Sequence, residues 1–558
     1  MSIVAIATSG AASDAVSSAV PALVADEVAS RLFDQDATLW GEAAESEAAV
    51  RLGWTDLPRT SRPLVGEVEA LREQLMVGGV DRVVLCGMGG SSLAPEVICG
   101  TAGKDIVILD SSHPTSVRAA LTHLERTVVV VSSKSGGTVE TDSQRRAFIA
   151  AFEEAGIDPR SRIVVVTDPG SPLEQQSRAD GYRVVTADPN VGGRFSALTA
   201  FGLVPAGLAG VDVGSLLDDA DAVADILASD DVDNPALILG AVLAGSTPLR
   251  DKIMLVENGT DILGFGDWAE QLIAESTGKA GTGVLPVVVI PDPGTSRGDY
   301  LEAGDITTIE LVTDIEEADL KGISTAAVAG TLGAQLLLWE AATAVAGRLL
   351  GINPFDQPDV ESAKQAAREL LDAGAGATAA PLFTDGEVEI RVLPEDGAGN
   401  EWIGSATNLP DAVSALLEQL DPERGYVAVM AYLDRTAGGT GRDSDLPALA
   451  PGLSRATDRP VTFGWGPRFL HSTGQYHKGG PAQGVYIQIT DSVDETSGQT
   501  DLPVPGRDFT FGQFIAAQAG GDAAVLGEHN RPVLRLHITG PGGRQAIVDA
   551  LARSSATG

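Results

Sequence analysis

Cysteine, histidine, aromatic side chains and positive charge are all scarce in this chain of 558 residues. Its two cysteines, Cys86 and Cys99, are too few for a disulfide framework, and neither has a Cys or His at metal-ligand spacing. Six scattered histidines do not supply a zinc site. We therefore expect a reducing compartment, with no metal and no other cofactor.

Positive charge is the second shortage. The chain has 38 Lys and Arg against 77 Asp and Glu, a formal net charge of −39. Such a field disfavours nucleic acid or an anionic membrane as the main partner. An anionic substrate would need a site built from local backbone amides and a few placed cations.

Long apolar runs and a basic leader are also missing. No Lys or Arg precedes Arg31, so the start does not resemble a signal peptide. The longest apolar stretch, residues 325–352, is interrupted by Glu340 and Arg348, which predicts a buried helix at a domain or subunit contact, not a membrane span. We expect a cytoplasmic protein.

What the chain has in abundance is short β-branched runs that alternate with helical stretches. Continuous apolar strands in this arrangement predict doubly wound parallel sheets of the α/β class, covered on both faces. We predict an N-terminal helical segment (1–79), two such domains (80–232 and 233–385) and a C-terminal α/β domain (386–558). The second domain is predicted to contain one long helix over residues 324–350.

Two loops rich in Gly and Ser each follow a predicted strand and open a helix. The first, residues 85–93, offers Gly90 and Ser91 at a helix N-terminus, where an anion binds readily. It could also be a dinucleotide fingerprint with Asp110 as the ribose ligand, although Ser92 replaces the last glycine. The second loop, residues 131–141, adds Ser133, Lys134, Ser135 and Thr138. Several donors and one cation in a single turn suit a phosphate monoester.

Three further segments carry groups suited to acid–base chemistry. Gln271 and Glu275 lie one turn apart on one face of a predicted helix, so Glu275 can act as a proton shuttle if it points into a closed site. Arg194 follows two glycines and can stabilise negative charge on a substrate oxygen. Gln357 and Lys364 flank the start of another helix, where they offer a hydrogen-bonding and a proton-donating group.

Together these segments resemble the glucose-6-phosphate isomerase family, which has two sugar-isomerase (SIS) domains of flavodoxin-like fold. The resemblance spans residues 80–370 and is most specific at residues 191–196, 271–279 and 355–357 together with Lys364. It implies that the two Gly/Ser loops hold the phosphate and that Arg194 stabilises an enediolate. It also implies that Glu275 moves a proton between C2 and C1, while Gln271, Gln357 and Lys364 line the sugar.

The chain departs from the family pattern at one place. The family carries a ring-opening histidine between the Glu and Lys motifs, offered by a partner subunit, but no histidine lies between Lys279 and Lys364. Residues 466–480 instead supply His471 and His477, the closest histidine pair, and this segment resembles the C-terminal part of the isomerase half of bacterial transaldolase–isomerase fusions. The sequence leaves the choice between the two histidines open.

The resemblance implies a metal-independent aldose–ketose isomerase that acts on glucose 6-phosphate and fructose 6-phosphate as a homodimer. Three alternatives remain open from the residues: a sugar-phosphate-binding SIS regulator, an isomerase of another sugar phosphate, and a dinucleotide-dependent oxidoreductase. A regulator would keep the phosphate loop but would have no use for Glu275.

Overall fold

The computed structural model describes residues 3–289, 301–318, 320–372, 380–393, 400–435, 445–493 and 499–556. Over these residues the chain forms three open α/β sheets. Across the same residues, no helix has the length and apolar character needed to span a bilayer.

The N-terminal segment departs from the expected all-helical structure. It begins with strand β1 (Val4–Gly10), and five helices follow: α1 (Ala11–Ala25), α2 (Val28–Phe33), α3 (Glu42–Ala48), α4 (Leu57–Thr60) and α5 (Pro63–Val77). The residues of β1 form a strand because they pair with residues far along the chain. Val4 lies opposite Gly330, and the whole strand runs antiparallel along the edge of the second sheet.

The first sheet confirms the predicted doubly wound parallel architecture. Its elements are β2 (Arg82–Cys86), α6 (Gly90–Thr101), β3 (Val107–Leu109), α7 (Pro114–Ala120), β4 (Thr127–Ser132), α8 (Val139–Glu154), β5 (Ile163–Thr167), α9 (Pro172–Ala179), β6 (Arg183–Thr186) and α10 (Ala200–Ala209). The strands are all parallel in the order β3-β2-β4-β5-β6, which is the flavodoxin-like order. Strands β4 and β5 are buried along their whole length because helices cover both faces.

The second sheet repeats this winding. Its elements are α11 (Val213–Leu227), α12 (Pro235–Ala244), β7 (Lys252–Glu257), α13 (Phe265–Thr277), β8 (Leu285–Val288), β9 (Ile306–Val312), β10 (Ser324–Gly330), α14 (Leu332–Leu350) and α15 (Pro358–Asp372). The order is β1-β10-β9-β7-β8, with β1 antiparallel to its neighbour.

The helix predicted over residues 324–350 is therefore wrong in its first seven residues. These small residues form β10, which pairs with β9 on one side and β1 on the other. Helix α14 then packs inside the chain, mainly against α12 and α11, and is buried from Leu332 to Gly347. Helix α14 therefore leaves no broad apolar face exposed. Such a face was the reason to expect a subunit contact at this helix.

The third sheet has six strands in the described residues and confirms the C-terminal α/β domain. Its elements are β11 (Phe383–Asp385), β12 (Val388–Leu393), α16 (Leu409–Leu417), β13 (Tyr426–Tyr432), α17 (Ala450–Thr457), β14 (Val461–Trp465), α18 (Thr473–Gly479), β15 (Gly484–Asp491), α19 (Phe511–Glu528), β16 (Val533–Ile538) and α20 (Gly543–Ala556). The order is β11-β12-β16-β15-β13-β14, and β13 to β16 are mutually parallel. The domain limits at 79, 232 and 385 stay a prediction.

A buried ionic cluster joins the second and third sheets. Arg459 donates to both carboxylate oxygens of Asp305, at 3.1 and 2.5 Å, and Lys252 Nζ lies 3.0 Å from the same carboxylate. Lys252 also contacts Asp251 at 2.9 Å and donates to Gln483 Oε1 at 2.8 Å. Asp251, Lys252, Asp305 and Arg459 are all at most 2% exposed. Each charge is therefore withdrawn from water and depends on its partners in the cluster.

We predict that Asp305→Ala destabilises the protein by about 3–5 kcal/mol, because it leaves two buried cations without their shared carboxylate. Urea unfolding followed by tryptophan fluorescence measures this. The matched control is Asp81→Ala, which breaks the exposed ion pair with Arg126 at 2.7 Å and should cost about 1 kcal/mol or less. Equal effects of the two substitutions would contradict the role of the cluster.

Candidate active site

Glu275 lies on the last turn of α13 and is held by two neighbours. One carboxylate oxygen accepts a hydrogen bond from Gln271 Nε2 at 3.1 Å, and the other lies 3.4 Å from Arg194 Nη1. The side chain is 11% exposed. Gln271 Oε1 is also buried and has no hydrogen-bond partner among the described residues, so it is placed to accept from a ligand hydroxyl. The predicted pairing of Gln271 and Glu275 on one helix face is present.

Arg194 is buried, and its guanidinium joins α13 to the loop that precedes α15. Its Nε donates to Ser276 Oγ at 2.7 Å, and its Nη1 donates to Gln357 Oε1 at 2.9 Å. Its Nη2 donates to the backbone oxygens of Pro354 at 2.6 Å and Asp356 at 3.1 Å. Burial lowers the pKa of Arg194, although the carboxylates of Glu275 and Asp356 oppose that shift. The cation is thus held rigidly beside Glu275, as stabilisation of a developing oxyanion requires.

Lys279, which sequence reasoning did not place in the site, supports the same loop. Its ammonium donates to the backbone oxygens of Asn353 at 2.8 Å and Asp356 at 2.5 Å, and it contacts the Asp356 carboxylate at 2.7 Å. Burial, together with the charge of Arg194, lowers the pKa of Lys279 to about 8. Two cations therefore fix the loop that carries Gln357. The sequence feature that could have identified Lys279 as a site residue is its position just after the Glu275 helix.

The predicted phosphate loop between β4 and α8 is ordered by its own hydroxyl groups. Ser133 Oγ accepts from the Gly136 N–H at 3.1 Å and donates to Thr138 Oγ1 at 3.4 Å, while Ser135 Oγ accepts from the Gly137 N–H at 3.2 Å. Thr138 occupies the N-cap of α8, but its side chain makes no capping hydrogen bond. The amides of the first helical turn and these hydroxyls can therefore receive an anion.

One predicted phosphate ligand is turned away. The Lys134 ammonium lies 2.6 Å from Asp168 Oδ2 and donates to the Pro189 backbone oxygen at 3.3 Å. Burial raises the pKa of Asp168, and the Lys134 ammonium opposes that shift. The structure thus assigns this cation to Asp168, not to the loop where we expected it.

Glycines let the first Gly/Ser loop pack closely against the other site elements. A β-carbon at Gly90 would lie 1.9 Å from the Gly193 backbone oxygen, so Gly90 permits contact with the Arg194 loop. Gly89 has φ +58°, and a β-carbon there would lie 2.7 Å from Gln271 Nε2 and 3.0 Å from the His471 β-carbon. The loop thereby brings the Glu275 helix together with the part of the chain that contains the third sheet, which we call the third unit. Ser91 stands half-buried at the start of α6.

The same loop offers no support for the dinucleotide alternative. The Asp110 carboxylate, the candidate ribose ligand, lies 3.1 Å from both Arg435 Nη1 and Arg468 Nη1. Arg468 also pairs with Glu96. These arginines come from the third unit, so Asp110 serves to attach that unit to the first sheet.

The two candidate histidines lie in different environments. His471 Nε2 lies 3.5 Å from Glu140 Oε1, and Glu140 also accepts from Gln518 Nε2 at 2.7 Å. Burial alone would raise the pKa of Glu140, but its hydrogen bond with His471 and the charges of His471 and Lys364 hold that pKa below its usual value. An ionised carboxylate therefore orients His471. Glu140 lies within the predicted loop motif, whereas nothing in the sequence marked Gln518.

His477, by contrast, belongs to an aromatic cluster of the third unit. Its ring centroid lies 5.3 Å from that of Tyr486, 6.1 Å from Tyr426 and 6.0 Å from Phe469. Both ring nitrogens are buried without a hydrogen-bond partner among the described residues, and burial lowers the pKa of His477 well below its usual value. The structure does not bring this residue to the site, so its inclusion among the candidates is corrected here.

A cavity of about 170 Å³ opens between the phosphate loop, α15 and the segment that carries His471. Its lining includes Ser135 and Thr138 of the phosphate loop, Lys364 of α15, and His471. The cavity thus joins the phosphate loop to the candidate acids Lys364 and His471. Gly89 lies against both His471 and Gln271, and it thereby connects these groups to Gln271 and hence to Glu275. Anion-binding groups, a buried carboxylate, a fixed arginine and an oriented imidazole can together transfer protons on a phosphorylated substrate.

Comparisons with known proteins agree with this geometry. No family model matches the chain. It is 31% identical over 392 residues to a probable glucose-6-phosphate isomerase of Natronomonas pharaonis. This match covers 62% of this chain and 91% of that protein. It is 30% identical to a probable glucose-6-phosphate isomerase of Haloarcula marismortui, over 53% of this chain and 79% of that protein.

Among solved structures, a hypothetical protein of Thermus thermophilus is 25% identical with a TM-score of 0.54. The match covers 66% of this chain and all of that one. Similarity to the archaeal relatives extends over most of their length, and it accompanies the arrangement of Glu275, Arg194 and the phosphate loop described above. The chain belongs to the glucose-6-phosphate isomerase family.

Proposed function

We propose that this protein interconverts glucose 6-phosphate and fructose 6-phosphate by proton transfer between C2 and C1. The observation that carries the proposal is the placement of Glu275, a buried carboxylate held between Gln271 and Arg194. A protein that only sensed a sugar phosphate would need the phosphate loop but not this carboxylate, so the arrangement favours an enzyme over a regulator.

We assign one step of the reaction to each of these groups. The loop of Ser133, Ser135 and Thr138 binds the phosphate. Glu275 removes the proton from C2 of the open-chain aldose, and the electron pair forms the C1–C2 double bond while negative charge develops on the carbonyl oxygen. Arg194 stabilises that charge. A proton then moves from the C2 oxygen to the C1 oxygen, and Glu275 returns its proton to C1.

Ring opening needs a separate acid because hexose phosphates are mainly cyclic. We assign to His471 the delivery of a proton to the ring oxygen, since its imidazole lines the cavity and Glu140 orients it. Lys364 lines the same cavity, which supports its assignment to the sugar hydroxyls. Because the third unit supplies His471 within one chain, this step requires no residue from a second subunit.

Assembly and location stay predictions from the sequence. We proposed a homodimer from the small-residue helix and from the family resemblance. Since α14 is buried within the chain, the resemblance alone now supports the dimer. The cytoplasmic location rests on the composition and on the proposed substrate.

We predict that Glu275→Gln lowers kcat about 100- to 10,000-fold while KM changes little, because a base acts on the barrier more than on the bound ground state. A coupled assay of fructose 6-phosphate conversion without added metal or nucleotide measures both constants. A variant that retained most of its kcat would exclude Glu275 as the base.

A second prediction concerns the phosphate loop. Ser133→Ala or Thr138→Ala should raise KM about tenfold or more, since each removes a hydroxyl of the loop to which we assign the phosphate. Lys134→Met is the matched control and should leave KM nearly unchanged, because this ammonium contacts Asp168. If only the Lys134 variant lost affinity, the phosphate would have to bind on the Lys134 side of the loop.

A third prediction separates the two histidines. His471→Gln should slow conversion of the cyclic substrate about 100-fold but leave proton exchange at C1 and C2 of the open-chain form largely intact. Isotope exchange followed by NMR measures the second rate. His477→Gln should spare both rates, because its ring lies among aromatic side chains. Full activity of the His471 variant on the cyclic form would transfer ring opening to another acid.

A further inference from the structure

A second cavity lies at the amino ends of strands in the first sheet, away from the phosphate loop. Its volume is about 380 Å³, within the range of about 300–1,000 Å³ that small-molecule pockets occupy. Ile163, the first residue of β5, and Arg183, the first residue of β6, both line it. The phosphate loop instead follows the carboxyl end of β4, which runs parallel to β5. The two sites therefore lie at opposite ends of the strands, and the cavities share no lining residue.

Three arginines line this cavity, namely Arg160, Arg162 and Arg183. The described residues that surround it include no acidic side chain. The chain as a whole has 38 basic against 77 acidic residues, so this group of arginines is a local reversal of the overall charge. A cleft lined by charges of one sign focuses their field and attracts ions of the opposite sign. The cavity therefore suits an anion.

The contacts of Arg160 and Arg183 leave donor groups for a ligand. Arg183 Nη2 donates to Gln74 Oε1, a neutral group, at 3.0 Å. Arg160 Nε donates to the Asp180 backbone oxygen at 2.7 Å, and its Nη1 lies 3.7 Å from the exposed Asp158 carboxylate. Both arginines are exposed, so a molecule from solution can reach them. Each guanidinium group has five N–H donors, and most of them remain available to phosphate oxygens.

Arg162 adds a requirement of its own. Its Nε is buried and has no hydrogen-bond partner among the described residues. A buried donor of this kind needs an acceptor, which an oxygen of an anion bound in the cavity would supply. Three guanidinium groups also exceed the single bidentate pair that one phosphate takes. They therefore suit a chain of two or three phosphates.

The rest of the cavity is largely aliphatic. Leu71 and Leu75, one turn apart on α5, and Val80 contribute apolar lining. A ligand made only of charged groups would leave this surface in contact with water, so a ligand that carries an apolar portion beside its charges fits the cavity better. A nucleotide has both parts, because its base can pack against aliphatic side chains while its phosphates pair with guanidinium groups.

We propose that this cavity binds a nucleoside diphosphate or triphosphate. Its phosphates lie between Arg160, Arg162 and Arg183, and its base packs against Leu71 and Leu75. The site is independent of the isomerase activity, because none of its residues takes part in the proposed reaction.

Isothermal titration calorimetry on the full-length protein tests the proposal. Divalent cations are left out, so that the phosphates are free to pair with the guanidinium groups. ADP and ATP are the complete ligands, pyrophosphate tests the phosphates alone, and adenosine tests the base and sugar alone. We expect a Kd below about 1 mM for ADP or ATP. Pyrophosphate and adenosine should each bind at least about tenfold more weakly, because each lacks one of the two contact types.

Substitutions then locate the bound nucleotide. Arg162→Met should weaken ADP binding about tenfold or more, because it removes charge-assisted hydrogen bonds to phosphate. Arg183→Met, at an exposed side chain, should do the same and covers the case in which the first variant does not fold. Arg59→Met is the matched control for net charge, since this exposed arginine pairs with Asp221, and it should leave the Kd unchanged. All three variants should retain the kcat of the wild type. Leu75→Ala should weaken the binding of ADP but not of pyrophosphate.

Thr138→Ala, in the phosphate loop, distinguishes this cavity from the active site and should leave the ADP affinity unchanged. The proposal is overturned if neither nucleotide binds with a Kd below about 1 mM, or if both Arg162→Met and Arg183→Met bind ADP as the wild type does. Loss of affinity in Thr138→Ala alone would place the nucleotide in the phosphate loop and would equally overturn it. Pyrophosphate that bound as tightly as both nucleotides would exclude a nucleotide as the ligand. None of these results depends on the isomerase assay.

Discussion

The guanidinium of Arg194 is the interaction on which the geometry of the proposed site depends. It joins Ser276, on the helix that carries Glu275, to the backbone of Pro354 and Asp356, and it faces Glu275. A lysine could not replace it, because one ammonium cannot provide the planar set of donors that spans these partners. The same cation therefore supports the fold of the loop and is available to stabilise a substrate oxyanion.

Docking of the third unit is the second constraint. Arg435 and Arg468 bind Asp110 at the first sheet, while Arg459 binds Asp305 at the second. These contacts place the short 3-10 helix Arg468–His471 over the active-site cavity. Because Asp110, Asp305 and Arg459 are buried, displacing the unit would leave buried ions unpaired, which is costly. The position of His471 is thus determined by ionic contacts at two separate surfaces.

Much of the fold and of the site could be predicted from local pattern. Val-rich runs such as Thr127–Ser132 identify buried parallel strands. Gly/Ser loops after strands indicate anion sites because a close approach of the backbone to an anion requires such small residues. Prediction failed where a partner lies far along the chain. Strand β1 depends on β10, and the small residues of β10 favour a strand only between two neighbouring strands. The direction of the Lys134 side chain depends on Asp168 in the same way.

The origin of His471 within the same chain has a genetic consequence. If a histidine crossed between subunits, mixing chains that lack the base with chains that lack the histidine would rebuild some complete sites. Here Glu140 and His471 meet within one polypeptide, so two such defective alleles should not complement each other in one cell. Dilution, likewise, would not separate Glu275, the proposed base, from His471, the proposed ring-opening acid.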